Sequence, residues 1–373
     1  MAYVYVNVKH IVARLLPSPL KDEMNHLESQ LEYPLGDILP EPGAVHPLAP
    51  GLKWLRMPLP FALDHINLWL IADHREGESG WAAVDCGVAT DATRQAWQHI
   101  FKTGMEDNGL LRVIATHCHP DHVGLSDWLC STFNASFWAT TGEYAFARMM
   151  SAALPGVDGT AAIPHFERHG LVDPLLRSQM GERRNYYPSL VPKVPHSYTR
   201  LQDGDQILIG EHHWRVITGF GHSPEHASLY CEALSVLISG DMVLPRISTN
   251  VSVFAIEPEG NPLQLYLDSL AKFADLPADT LVLPSHGRPF RGLHTRISQL
   301  REHHCGRLAE VMQACRTPHS AVDIVPIMFR RPLDAHTLTF ALGEALAHLH
   351  KLWFDGLLQR EKGEDGIVRF RLI

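Results

Sequence analysis

The sequence predicts an α+β fold in two parts, a strand-rich region followed by a helical C-terminal region. Short apolar runs that end in a small residue and then a His or Asp recur between residues 81 and 286. Stretches with helical spacing of apolar residues separate several of these runs. After Arg291 the pattern changes to consecutive amphipathic helices and a final hairpin. A chain of 373 residues is comfortable for two domains, and we predict them at 1–295 and 296–373.

Composition and charge narrow the class of protein. A hydrophobic content of 45% and a charged content of 20% are typical of soluble globular proteins. The net charge of −9 disfavours a polyanion-binding surface spread over the whole molecule. No apolar run approaches the roughly 18 to 20 residues that span a bilayer, so we predict no membrane partner. The N-terminus lacks the features of a signal peptide, and none of the six cysteines forms a CxxC pair, so we expect a cytoplasmic location.

The first part opens with irregular sequence and then becomes strand-rich. Residues 3–8 alternate as in an edge strand, whereas residues 34–60 contain seven prolines and predict an irregular segment. A strand is predicted over Ile66–Ala72, and a second apolar run leads to Asp85. Helical spacing then predicts a helix over about Ala89–Lys102.

The run Thr-His-Cys-His-Pro-Asp-His at 116–122 follows an apolar strand-like stretch. It places four strong metal ligands within six positions, namely His117, His119, Asp121 and His122. Neutral imidazole and ionised carboxylate suit zinc and similar divalent ions. Crowding four such groups together is costly unless a cation satisfies them. The run therefore predicts a metal site, with Cys118 as a packing residue rather than a ligand.

Four other apolar runs end in a potential ligand: Asp85, His222, Asp241 and His286. Short leucine-rich and β-branched runs bounded by Gly, Pro and Ser predict buried strands. Side chains at the ends of strands in one sheet system can converge on a single point. Any one of them alone is compatible with a structural role, but together they indicate one site.

His117, His119, Asp121 and His122 match the HxHxDH signature of the metallo-β-lactamase superfamily, and the four other residues match its remaining motifs in order. The resemblance covers roughly residues 50 to 295 and implies a four-layer αβ/βα sandwich with the metals at one edge. The ligand set is similar to the dinuclear site of glyoxalase II and ribonuclease Z. It differs from the true β-lactamases, which have a Cys where Asp241 stands.

The resemblance implies two divalent cations, most simply zinc, with iron and manganese as alternatives. One would be held by three histidines and the other by one carboxylate and two histidines, with Asp241 bridging both. Asp121 and Asp241 would be catalytic, and Asp85 would hydrogen-bond a ligand histidine and fix its tautomer. The implied ligands are His117, His119, Asp121, His122, His222, Asp241 and His286.

Two segments extend beyond the sandwich. Residues 143–200 predict an insertion that serves as a lid or specificity wall, with a surface excursion as the alternative. In residues 296–373, helices predicted over Ile297–Ala314, Ser320–Phe329 and Asp334–Phe354 precede a hairpin. Three helices and a hairpin resemble a winged helix, and this appendage is similar to that of the β-lactamase-like endoribonuclease branch.

The expected function is hydrolysis of a small ester, thioester or lactone by a hydroxide that bridges the two metals. An endoribonuclease or phosphodiesterase with the same site is one alternative, and a non-catalytic ligand-sensing regulator is another. Residues 296–373 hold 11 Lys and Arg against 9 Asp and Glu, which is only slightly basic. Nucleic-acid surfaces are usually basic stripes, so a small-molecule substrate is favoured over nucleic acid, and a homodimer is left open.

Overall fold

The computed structural model describes residues 26–61, 63–157, 160–181, 186–330 and 333–373. The edge strand predicted over residues 3–8 lies outside this part of the chain. The described residues form two large β-sheets, a two-stranded sheet and eleven α-helices.

The first sheet contains seven of the described strands in the order β1-β2-β3-β4-β5-β6-β7. Its first four strands are paired antiparallel and the rest are paired parallel. The predicted strand Ile66–Ala72 lies inside β3. The prediction of an irregular segment over residues 34–60 is wrong, because that range contains β1 and β2; its prolines are tolerated at Pro47 in the edge strand β1 and at Pro58 at the end of β2. The strands are β1 (Val45–Ala49), β2 (Leu52–Pro58), β3 (His65–Arg75), β4 (Glu78–Val84), β5 (Leu110–Ile114), β6 (Ser136–Ala139) and β7 (Thr199–Arg200).

The second sheet contains five of the described strands in the order β12-β11-β10-β9-β8. Only β11 and β12 are parallel within it. The strands are β8 (Gln206–Ile209), β9 (His212–Gly219), β10 (His226–Cys231), β11 (Val236–Gly240) and β12 (Leu281–Pro284).

The two sheets face each other, and helices cover their outer faces. Trp54 and Trp69 of the first sheet share a buried apolar cluster with Trp214 of the second. A second cluster joins the outer face of the first sheet to helices, and a third lies on the outer side of the second sheet. The helices up to β12 are α1 (Asp91–Thr103), α2 (Pro120–Val123), α3 (Ser126–Phe133), α4 (Thr141–Ser151), α5 (Ala162–Glu167), α6 (Pro174–Gly181), α7 (Tyr186–Leu190) and α8 (Pro262–Ala271). The predicted four-layer αβ/βα sandwich is confirmed.

The C-terminal region contains α9 (Leu293–Ala314), α10 (Ala321–Met328), α11 (Ala335–Phe354) and the antiparallel strands β13 (Leu358–Lys362) and β14 (Val368–Leu372). A capping box between Ser320 and Asp323 starts α10, and the Asp334 side chain caps α11. This order of three helices and a hairpin is the predicted one.

The C-terminal helices share an apolar core with the sandwich. Leu300 of α9 and Leu346 of α11 belong to the same buried apolar cluster as Phe273 and Val282 of the sandwich. The predicted boundary between residues 295 and 296 falls within the first turn of α9. None of the helices in the described ranges is long and apolar enough to cross a bilayer.

Candidate metal centre

The predicted site residues all follow strand ends at one edge of the sandwich. Asp85 comes directly after β4, and the 116–122 loop follows β5. In the second sheet, His222, Asp241 and His286 follow β9, β11 and β12. Strand ends of both sheets therefore supply the side chains, which is why residues far apart in sequence meet here.

Four of the predicted ligands form a first donor group: His117, His119, His222 and Asp241. His117 Nε2 lies 2.8 Å from His119 Nδ1 and 3.1 Å from His222 Nε2. Asp241 Oδ2 lies 3.5 Å from His222 Nε2. The donor atoms of the group all lie within 4.8 Å of one another.

Asp121, His122 and His286 form a second donor group. Asp121 Oδ2 lies 3.6 Å from His122 Nε2 and 3.4 Å from His286 Nε2. Asp241 reaches this group with its other oxygen, since Oδ1 lies 3.6 Å from His122 Nε2 and 3.5 Å from His286 Nε2. The two oxygens of Asp241 thus face different donor groups.

The Nδ1 atom of three of these histidines is anchored outside the centre. His122 Nδ1 donates to Asp85 Oδ2, His222 Nδ1 donates to the carbonyl oxygen of Asn250, and His286 Nδ1 donates to that of His65, each at 2.8 Å. Because Nδ1 carries the proton, the Nε2 lone pair of a neutral ring is directed into the donor group.

The donor chemistry fits divalent cations. Nε2 of His122 and Oδ1 of Asp241 are buried and have no hydrogen-bond partner among the residues that the structure describes. A buried polar atom without a partner costs free energy, and a cation among these nitrogen and oxygen atoms would satisfy both. Nitrogen and carboxylate ligands without a thiolate are compatible with zinc, iron and manganese. Cys118 belongs to neither group.

The electrostatics differ between the two donor groups. Burial alone would lower the pKa of His122, but the carboxylates of Asp85, Asp121 and Asp241 outweigh it and raise that pKa to about 9. In the first group, burial lowers the pKa of His119 to about 3, and the neighbouring His222 adds to this effect. The neutral form that coordinates a metal is therefore the stable form of His119.

Glu143 is a residue of this site that the sequence analysis does not identify. Its side chain is 1% exposed and accepts hydrogen bonds from the backbone N of Cys118 (2.8 Å), from Ser223 Oγ and from the backbone N of Glu225 (both 2.6 Å). Cys118 lies between two predicted ligands and Ser223 follows a third. Glu143 therefore connects, through hydrogen bonds, the two loops that carry the histidines of the first donor group. Nothing in the pattern of α4 distinguishes it from a surface glutamate.

The segment predicted as an insertion, 143–200, contacts the 116–122 loop. Glu143 lies at its start, and Tyr187 of α7 donates from its hydroxyl to the carbonyl oxygen of Cys118. Tyr187 is 8% exposed and packs in the apolar cluster outside the first sheet. Part of the segment is thus integrated into the sandwich.

Comparison with known proteins agrees with the geometry. Residues 62–286 match the model of the metallo-beta-lactamase superfamily, and residues 308–373 match that of the metallo-beta-lactamase-like C-terminal domain. The chain is similar to the crystal structure of a beta-lactamase domain protein from Burkholderia ambifaria, with 55% identity and a TM-score of 0.89, covering 94% of this chain and 100% of that one.

Two further relatives resemble most of the chain. The metallo-beta-lactamase family protein TTHA1429 from Thermus thermophilus is 28% identical with a TM-score of 0.73, over 88% of this chain and 100% of that one. The Bacillus subtilis (strain 168) protein named "Probable metallo-hydrolase YqjP" is 24% identical over 80% of this chain and 91% of its own length. From the matched family models and the first of these relatives, the chain belongs to the metallo-beta-lactamase superfamily of metallo-hydrolases.

Proposed function

We propose that the protein is a two-metal hydrolase that cleaves a small ester, thioester or lactone. The observation that carries this proposal is the position of the Asp241 carboxylate between the two donor groups. Its Oδ2 lies 3.5 Å from His222 Nε2 in the first group, and its Oδ1 lies 3.5 Å from His286 Nε2 in the second. A carboxylate in that position, with no cysteine among the donors, is the arrangement expected of the glyoxalase II and ribonuclease Z type.

In this proposal His117, His119 and His222 hold one cation, Asp121, His122 and His286 hold the other, and Asp241 contributes to both. Zinc is the first candidate, with iron and manganese as alternatives. When bound in a paired site, such cations lower the pKa of water and polarise the electrophilic group of a substrate.

The chain itself supplies a base and rigid support. Asp121 has the more accessible of the two central carboxylates, with 17% of its side chain exposed against 10% for Asp241. Burial opposes its ionisation, but His122 and His286 lower its pKa to about 2, so it is a carboxylate at neutral pH. We assign Asp121 the role of orienting the attacking water and accepting its proton. Asp85 keeps the proton of His122 on Nδ1.

The C-terminal region supports a small-molecule substrate better than a nucleic acid. Its elements follow the order of a winged helix, but many of its cations pair with carboxylates: Arg307, Arg330, Lys351, Arg360 and Arg369. Arg296 is buried. A nucleic-acid surface requires cations free to contact phosphates. We assign this region to packing against the sandwich.

The six cysteines are all unpaired, which suits the reducing cytoplasm.

A substrate screen tests the proposal. Protein loaded with zinc, manganese or iron is offered carboxylic esters, thioesters, lactones, phosphodiesters and a fluorescent RNA. We expect turnover of at least one acyl substrate, and about two metal equivalents per chain by elemental analysis. Asp241→Ala should lower the metal content and abolish turnover while the far-UV circular dichroism spectrum stays unchanged.

The control is Asp268→Ala, which removes an exposed carboxylate on α8 that hydrogen-bonds Gln264. This variant should match the wild type in both metal content and turnover. Turnover of RNA with none of the acyl substrates would replace the proposal with the nuclease alternative. Tight binding of one compound without turnover of any would favour the sensor, and full activity of Asp241→Ala would refute the role of that residue.

A further inference from the structure

The C-terminal helices form hydrogen bonds with part of the connection between β11 and α8. We call this part, residues 244–253, the 244–253 segment. Arg296 of α9 is 3% exposed and donates to the carbonyl oxygens of Leu244 (2.6 Å) and Ile247 (2.9 Å). This segment begins three residues after Asp241. Its other end is held by α11.

Gly343 allows α11 to approach this segment closely. Its carbonyl oxygen accepts from the backbone N of Val253 at 3.1 Å. A Cβ added at Gly343 would lie only 2.7 Å from the side chain of Ser252. Glycine in a helix interior costs about 1 kcal/mol relative to alanine, so its presence here is explained by the close contact.

Glu344, the next residue of α11, is connected to a metal-ligand histidine by two hydrogen bonds. Its Oε2 accepts from Asn250 Nδ2 at 3.3 Å, and Asn250 Oδ1 accepts from Ser252 Oγ at 2.7 Å. The carbonyl oxygen of the same Asn250 accepts from His222 Nδ1 at 2.8 Å. The Asn250 side chain is therefore held on both sides while its main chain orients His222.

We infer that Glu344 is a positioning residue for His222, so that the C-terminal region is a structural part of the metal centre. The inference rests on the proposed metal centre. An outer hydrogen bond that fixes the ring orientation of a ligand histidine contributes to metal affinity, and its loss commonly costs about 10- to 100-fold. Glu344 acts one residue further out, so we expect a loss near the lower end of that range.

The test measures metal affinity, not turnover. Apoprotein is titrated with Zn²⁺ against a chromophoric chelator, and the Co²⁺-loaded protein is examined by visible absorption. Glu344→Ala should weaken one of the two metal equivalents by about tenfold and change the Co²⁺ spectrum. Glu344→Gln should retain most of the affinity, because its amide oxygen can accept the same bond from Asn250.

Two further variants separate positioning from general destabilisation. Asn250→Ala removes the side-chain bonds but keeps the carbonyl oxygen that faces His222, so it should reproduce the effect of Glu344→Ala. Leu349→Ala removes a fully buried apolar side chain of α11 that takes no part in the hydrogen bonds of Glu344 and Asn250, so it should lower Tm and leave the affinity unchanged.

The outcomes distinguish this inference from the proposed function. If the wild type binds two equivalents and both Glu344→Ala and Asn250→Ala bind them equally well, the inference is wrong and the proposed function stands. An equal loss of affinity in Leu349→Ala would also overturn it, since stability alone would then explain the effect. If the wild type binds no metal, the proposed metal centre and the inference fail together.

Discussion

Asp85 Oδ2 lies 2.8 Å from His122 Nδ1, and Asp85 adopts a left-handed backbone conformation with φ of 64°. Its carboxylate also accepts from the backbone N of Thr116 (2.7 Å) and from Thr116 Oγ1 (2.8 Å). Non-glycine residues in this conformation carry strain of about 1 kcal/mol or more, which the surrounding structure must offset. Here the hydrogen bonds aim the carboxylate at the imidazole of His122, which we propose as a metal ligand.

Asp85→Asn should weaken metal binding at the second donor group. Asparagine tolerates the left-handed conformation, so the fold should be retained. Its amide nitrogen would donate to His122 Nδ1 and shift the ring proton to Nε2, the atom that faces Asp121 and Asp241. We expect an affinity loss of about 10- to 100-fold for one equivalent, measured by chelator competition.

Asp64→Asn is the matched control for that experiment. Asp64 also pairs with an imidazole, at 2.6 Å from His65 Nδ1, but its side chain is 81% exposed and His65 is not a predicted ligand. The metal affinity of the Asp64→Asn variant should equal that of the wild type. Unchanged affinity in Asp85→Asn would contradict the role assigned to Asp85.

Glu143→Gln should loosen the first donor group. The carboxylate accepts from Cys118 on Oε2 and from Ser223 and Glu225 on Oε1. Glutamine has one accepting oxygen, so its amide nitrogen would face a donor on one side. A buried donor left without an acceptor costs about 1–3 kcal/mol. We expect a lower urea midpoint together with a weaker equivalent of bound metal.

Glu225→Gln provides the comparison. Within the described ranges, the carboxylate of Glu225 accepts one hydrogen bond, from the backbone N of Gly142 to Oε2. A glutamine oxygen can accept that bond, so the urea midpoint and the metal affinity should change little. If Glu143→Gln behaves in the same way as Glu225→Gln, Glu143 does not organise the site.

Asp73→Ala should destabilise the fold without changing metal affinity. Asp73 is fully buried. Its carboxylate accepts hydrogen bonds from Arg112 Nε at 2.6 Å, from Arg112 Nη2 at 3.0 Å and from the backbone N of Gly210 at 3.0 Å. Removing the carboxylate leaves a buried guanidinium without its partner, at a cost of about 3–5 kcal/mol. Denaturant titration measures the loss.

The pair Lys53–Glu106, in which the carboxylate is exposed, is the reference for this prediction. Glu106 is 70% exposed, so Glu106→Ala should cost less than about 1 kcal/mol. Equal effects of Asp73→Ala and Glu106→Ala would show that burial of the Arg112 pair contributes nothing to stability.

His304 and His348 should make the protein sensitive to acid. His348 Nδ1 donates to the carbonyl oxygen of Glu344, so His348 Nε2 accepts from His304 Nδ1 at 3.3 Å. Burial lowers the pKa of His304 to about 3 and that of His348 to about 4. Unfolded histidine has a pKa near 6.5, so below that pH the unfolded chain binds protons that the folded chain does not.

The free energy of unfolding should therefore fall as the pH drops from about 6.5 towards 4, by about 1.4 kcal/mol per pH unit for each of the two histidines. Denaturant titrations of apoprotein in chelator, at intervals between about pH 7 and 4.5, measure this slope. His348→Gln should reduce the slope, whereas His213→Gln, at an exposed position, should leave it unchanged. Identical slopes for all three proteins would rule out the buried pair as the cause.

The sequence, through the family resemblance of its motifs, predicted the sandwich and the side chains that the structure brings together as two donor groups. The HxHxDH run and the residues at 85, 222, 241 and 286 are recognisable because each follows an apolar strand, and strand ends of stacked sheets meet at one edge. The helices predicted near Ala89–Lys102 and Asp334–Phe354 are observed as Asp91–Thr103 and Ala335–Phe354, since their apolar spacing and caps are local signals. The domain boundary and the winged-helix assignment stay predictions.

Only the tertiary structure decided which side chains and backbone atoms support the two donor groups. Asp241 faces both groups because β11 ends between the other strand ends that contribute ligands. Glu143, Asn250 and Glu344 leave no periodic signal, because their partners lie on other elements and a hydrogen bond between distant residues requires no local pattern. The C-terminal helices likewise show apolar faces in sequence, but only packing reveals that those faces cover the second sheet.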